Sequence, residues 1–152
     1  MKKLLILLLM SVMPAVAAAD DLDKYVELLR ADLRTAKTQI HTEALDLSEA
    51  DGAKFWPIQR EYETEFAKLG DQRIQLIKDF VANYDSLSAP MAKQLTDRAF
   101  KLESSRLALL KKYTDRIAKA VSPRVGARFA QVEAIINSLV DLQIRAETPL
   151  VP

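Results

Sequence analysis

The chain has 152 residues, of which 49% are hydrophobic and 28% charged, with 3 Gly, 6 Pro, one His and no Cys. That length holds one domain or two small ones, and the composition is that of a folded chain rather than a disordered one. So few turn formers exclude an all-β fold, and the missing cysteine excludes disulfide scaffolds, thiolate metal sites and cysteine nucleophiles.

The N-terminus reads as a targeting segment. Lys2 and Lys3 form a positive region, Leu4 to Met13 a short apolar core, and Pro14 breaks it before Ala17-Ala18-Ala19. A helix of about ten apolar residues spans about half a bilayer core, so an export signal cleaved after Ala19 is the expectation rather than an anchor. The expected organisation is a signal peptide over 1–19, one helical domain over 20–147 and an extended tail over 148–152, with a periplasmic destination and no transmembrane segment after cleavage. Removing 19 of the 152 residues leaves 133, with 20 Lys and Arg against 21 Asp and Glu, a net charge of −1. A near-neutral, mixed-sign surface gives no electrostatic footprint for nucleic acid.

Beyond the signal the apolar residues recur at helical spacing. Leu22, Val26, Leu29, Leu33, Ala36, Ile40, Ala44 and Leu47 step by three and four, which predicts a first helix from Leu22 to Leu45 with a heptad-like seam. Ser48 then reads as an N-cap with Asp51 at its N3 position. Phe55, Ile58, Tyr62, Phe66 and Leu69 predict a second helix that continues to Tyr84. Pro57 should bend it, and the stripe resumes within a turn of Gly70, so no break is expected there. Ser88 caps a third helix with Pro90 in its first turn, and its stripe runs through Met91, Leu95, Ala99, Leu102, Leu109, Tyr113 and Ile117. Ser122-Pro123 opens a fourth helix that uses Val125, Phe129, Val132, Ile136, Leu139 and Leu142. The fold class is therefore all-α, an elongated bundle of about four helices in long antiparallel hairpins, bent near Pro57. A second helix from residue 49 to 84 would run about 54 Å. A compact domain of this size is only about 35 to 40 Å across, so a homodimer is expected to complete the core, with Phe66, Leu102 and Leu109 buried.

Chemistry-bearing constellations are scarce. Glu61 and Glu65 lie one turn apart, but beside Arg60 and Lys68 they read as exposed acids on a solvated face. His41, the lone histidine, reads as a boundary residue rather than a base or ligand. One histidine and no cysteine predict no catalytic, cofactor or metal site, and no high-affinity zinc or copper binding. The chain is not expected to be an enzyme. The most unusual local feature is Phe55-Trp56-Pro57. Phe55 and Trp56 point about 100° apart, so Trp56 is either packed against another helix or part of a partner-binding surface with Phe55 and Pro57.

Two cap motifs carry a resemblance. Leu47-Ser48-Glu49-Ala50-Asp51 precedes Phe55, and Val121-Ser122-Pro123-Arg124-Val125 precedes Phe129. They resemble the twin LTxxQ motifs of the Spy/CpxP family of exported helical proteins, with Asp51 and Val125 where that family has Gln. The stretch Leu47 to Ile58 also resembles a group of small exported proteins carrying L-[ST]-x5-K-F-W-P-I. The Spy/CpxP resemblance implies a thin, curved, dimeric helical fold. It also implies an ATP-independent periplasmic chaperone or envelope-stress accessory protein that binds unfolded or envelope proteins. Family members that restrain a sensor kinase imply the alternative, a regulatory module for one specific envelope protein. The zinc-binding branch of the family uses His-rich or Cys-containing segments, which this chain lacks.

Overall fold

The computed structural model describes residues 33–152. The expected signal peptide, its cleavage after Ala19 and the start of the first helix lie outside the described residues. The chain divides into two compact units, Met1–Thr38 and Gln39–Pro152. In the first, residues 33–38 are helical; the second holds the architecture that follows.

The fold is all-α, with no strand among the described residues. Helix α1 ends at residue 45. It is followed by α2 (Glu49–Asn83), a 3-10 turn (Tyr84–Ser86), α3 (Ala89–Ala120) and α4 (Pro123–Glu147). The three predicted caps are in place. The hydroxyls of Ser48, Ser88 and Ser122 accept from the backbone N–H groups of Asp51, Met91 and Val125, each satisfying a donor the helix start leaves open. Ser48 also donates to the Asp51 carboxylate at 3.0 Å, so that cap is reciprocal. Pro lies in the first turn of both α3 and α4, where its missing N–H costs nothing.

Helix α2 runs unbroken through Pro57 and Gly70 for 35 residues. Cross-helix pairs fix its direction. Glu61 meets Arg116, Glu65 meets Lys112 and Asp79 meets Arg98, so α2 and α3 run antiparallel. Helix α3 packs on α4 in turn, and Arg106–Asp141 sets the same antiparallel sense. Gly126 shows how close that approach is. A Cβ there would lie 2.9 Å from both the Ala118 Cβ and the Thr114 carbonyl oxygen, so only glycine fits between the helices.

The core cluster is Leu45, Phe55, Tyr62, Leu109, Tyr113, Ile117 and Phe129, at the end of the bundle near the α3–α4 connection. Leu102 and Leu109 are buried as expected. Phe66 is only half-buried; it packs against that cluster, its ring 5.5 Å from Tyr62. The fourth-helix stripe is corrected at its far end, where Leu139 and Leu142 are exposed.

The first helix needs the largest correction. Lys37, His41 and Leu45 are buried, four residues apart, whereas Ala36, Ile40 and Ala44 of the predicted seam are exposed. The buried face is rotated by one residue, about 100°, from the apolar one. His41 occupies it beside Glu133 of α4, which lies 3.2 Å away.

Candidate functional site

Two places in the fold gather unusual chemistry: a shallow groove at the start of α2 and a polar cluster inside the core. The groove follows from helical spacing. Glu49, Gly52, Ala53 and Trp56 fall at i, i+3, i+4 and i+7 and share one face of α2. Thr42, Leu47, Gly52, Ala53 and Trp56 line a depression of about 410 Å³ there. Trp56 is half-buried and packs edge-on against Phe55, with ring centroids 4.9 Å apart. A Cβ on Gly52 would sit 3.4 Å from the indole nitrogen, an ordinary contact, so this glycine is not sterically required.

The three residues expected to form a partner surface therefore separate. Pro57 is exposed, Trp56 lines the groove and packs on the core, and Phe55 is fully buried. Phe55 is removed from the surface because its direction on α2 carries it toward His41 and Phe129, whose rings lie 6.0 and 6.1 Å away. Glu61 and Glu65 are solvent-facing as expected, 55% and 40% exposed, and pair across the bundle. Their partners come from α3 rather than from Arg60 and Lys68. Glu61 accepts from Arg116 at 2.7 Å, and Glu65 accepts from Lys112 at 2.9 Å and from the Tyr113 hydroxyl at 2.8 Å. Those bonds, the Lys112 and Tyr113 donors first, hold the Glu65 carboxyl below its ordinary range.

The polar cluster joins α1, α2 and α4. His41, Tyr62 and Glu133 are each 0% exposed. The Tyr62 hydroxyl donates to Glu133 Oε2 at 2.8 Å. His41 Nε2 lies 3.2 Å from Glu133 Oε1, without the geometry of a directed hydrogen bond. The imidazole stacks on Phe129 at 5.5 Å, which fixes its plane. Burial pushes the Tyr62 phenol far above its ordinary range, and the neighbouring Glu133 charge and hydrogen bond add to that. The phenol is thus held protonated, as a donor to a carboxylate that has left water.

His41 was expected at a boundary and is in the core. A weak sign of this was present in the sequence, since Lys37, His41 and Leu45 share one face at spacings of four. Nothing in the sequence linked Glu133 to it, because Tyr62 and Glu133 are 71 positions apart. The cluster is closed to solvent. Among the described residues no group of three or more His, Cys, Asp and Glu side chains is placed to hold a metal ion. No described helix is long and apolar enough to cross a membrane. No protein-family model matches the chain, and no curated protein and no solved structure is significantly similar to it.

Proposed function

We propose that this chain is an exported, periplasmic helical protein that binds other proteins through its helix surfaces, as an ATP-independent chaperone or envelope-stress accessory factor. The observation that carries the reading is apolar surface laid out at helical spacing. Ile135, Leu139 and Leu142 are more than 60% exposed and fall at i, i+4 and i+7 on α4. Phe100 and Leu107, both 70% exposed, are seven residues apart on α3. Single exposed leucines need no explanation, but stripes of them mark surfaces that meet other chains. The Trp56 groove adds a concave apolar site beside the Ser48 cap. The motif serines Ser48 and Ser122 cap α2 and α4, which agrees with the Spy/CpxP resemblance. A homodimer follows from the same logic. The exposed Ile40 continues the heptad-like seam of the first helix, a stripe suited to a second copy.

The test is aggregation of chemically unfolded clients diluted into buffer with the purified mature chain. Suppression at near-equimolar ratio for several unrelated clients is expected, and Leu139→Lys with Leu142→Lys should weaken it without lowering the melting temperature. Capture of one stoichiometric envelope protein, with no effect on unfolded clients, would instead favour the regulatory module. Full suppression by the double variant would remove the α4 stripe from the binding surface.

A further inference from the structure

Charges on the outer face of α3 are arranged as a palindrome. Two ion pairs bracket an apolar patch, Lys93–Asp97 before it and Lys111–Asp115 after it, each at 2.6 Å and with all four side chains at least 62% exposed. Between them lie Phe100 and Leu107, both 70% exposed, with the exposed Ser104 at the centre. At about 100° per residue these side chains all fall within about 60° of the Ser104 direction, on one stripe. Counted from Ser104, Asp97 and Lys111 are each seven residues away, and Lys93 and Asp115 each eleven. Each charged residue of the stripe therefore has the opposite charge at its mirror position.

We propose that this face of α3 is a self-complementary interface that takes a second copy of the chain, antiparallel, about a two-fold axis at Ser104. Such an axis sets each residue opposite its mirror position in the other copy. Asp97 then meets the partner's Lys111, and Lys93 meets the partner's Asp115. Phe100 packs beside the partner's Leu107, one position from its mirror, and the small Ser104 side chain lets the helices approach at the axis. Lys101, exposed beside Phe100, meets no like charge, because its mirror position is Leu107.

The charge order selects both the partner and its direction. A parallel copy would set each lysine on the same lysine and each aspartate on the same aspartate, and like charges facing each other are unfavourable. The stripe from Lys93 to Asp115 is about 33 Å long, so its ends stay in contact at a crossing angle near about 20° and separate near about 50°. Surface ion pairs contribute little energy, but they fix register and exclude wrong partners. The inference rests on the homodimer reading for the existence of a second copy, and it adds the face and the direction of pairing.

The chain has no cysteine, so one introduced cysteine reports one contact. Sedimentation of the mature chain from about 1 μM to about 300 μM, a range suited to a small interface, is expected to show a reversible dimer. Under mild oxidation Ser104→Cys should cross-link to its own copy, since Cα atoms within about 7 Å can be bridged. Thr64→Cys, exposed on α2, should not. Asp97→Lys sets like charges across the axis and should weaken the dimer about fivefold through its two symmetric pairs. Adding Lys111→Asp should restore the dimer, although within each helix it places like charges four residues apart. A monomer throughout that range would overturn the proposal together with the homodimer reading. A dimer that Ser104→Cys does not cross-link, or that Lys111→Asp does not rescue, would overturn the α3 face alone and leave the Ile40 seam as the interface. Loss of client suppression in Phe100→Glu with the dimer intact would also overturn it, assigning the stripe to clients.

Discussion

The two ends of the bundle are built on different physics. Near the α3–α4 connection, Phe55, Tyr62, Tyr113 and Phe129 interlock with Leu45 and Ile117, with aromatic centroids 5.2 to 6.1 Å apart. At the other end fewer residues are buried, with Leu95 and Leu102 on α3 and Ile136 on α4. There the helices are tied by Arg73–Asp141, Arg106–Asp141 and Asp79–Arg98, and Val81, Phe100 and Leu142 face outward. Buried apolar area contributes about 25 cal/mol per Å², whereas ion pairs within reach of solvent contribute about 1 kcal/mol each and weaken in salt. The aromatic end sets the stability, and the ion-paired end leaves apolar side chains exposed.

The sharpest test of that contrast is truncation. Phe55→Ala removes a fully buried ring and should cost about 3–5 kcal/mol, read as a large fall in melting temperature. Leu139→Ala, on the open end, should stay within about 0.5 kcal/mol. Trp56→Ala falls between them, because the indole is half-buried. Equal effects of Phe55→Ala and Leu139→Ala would erase the distinction between the ends.

The two described helix-interior glycines with close neighbours sharpen it further. Gly126→Ala must push α3 and α4 apart against backbone, and overpacking of that kind costs about 1–3 kcal/mol. Gly52→Ala meets only the edge of the Trp56 indole at contact distance, so helix propensity should dominate and stabilise by about 0.5–1 kcal/mol. Chemical denaturation of both variants gives the two signs directly.

The aromatic end also carries a pH signature. Burial, then the Glu133 charge, raises the Tyr62 phenol above its ordinary value. A raised acid contributes stability that is complete below the unfolded value of about 10 and is lost as pH climbs above it. Alkaline unfolding should therefore begin near that pH, and Tyr62→Phe should flatten it. The same change leaves Glu133 without the phenol donor and should cost about 1–3 kcal/mol at pH 7. A Tyr62→Phe chain as stable as wild type at neutral pH would show that the carboxylate does not need that bond.

How far the sequence reveals this follows from the reach of each signal. The caps at Ser48, Ser88 and Ser122 are local, set within four residues, and the helices begin where those residues place them. The long stripes through Tyr62 and through Leu102, Leu109 and Tyr113 are legible because apolar periodicity and burial coincide there. Helix α1 defeats the same rule. Its apolar seam at Ile40 is exposed, and its buried face holds a histidine that lies against Glu133, far along the chain. Phe55 and Trp56 could be separated in direction by the sequence, but which of them points inward depends on where His41 and Phe129 lie.

A salt-dependent effect is expected at the open end, and it isolates the electrostatic share. Burial pushes the Asp141 carboxyl up, but the Arg73 and Arg106 guanidinia outweigh it and hold it below its ordinary range. A lowered acid contributes stability that is present above the unfolded value of about 3.9 and is lost as pH falls below it. Asp141→Asn should remove that contribution, about 1 kcal/mol once solvent screening of these partly exposed pairs is allowed for. The loss should shrink in about 1 M salt, where the Debye length is about 3 Å. Phe55→Ala should cost the same at either ionic strength, because no charge is involved. If Asp141→Asn were instead as costly as a core truncation and indifferent to salt, the Arg73–Asp141–Arg106 cluster would be acting as a second core.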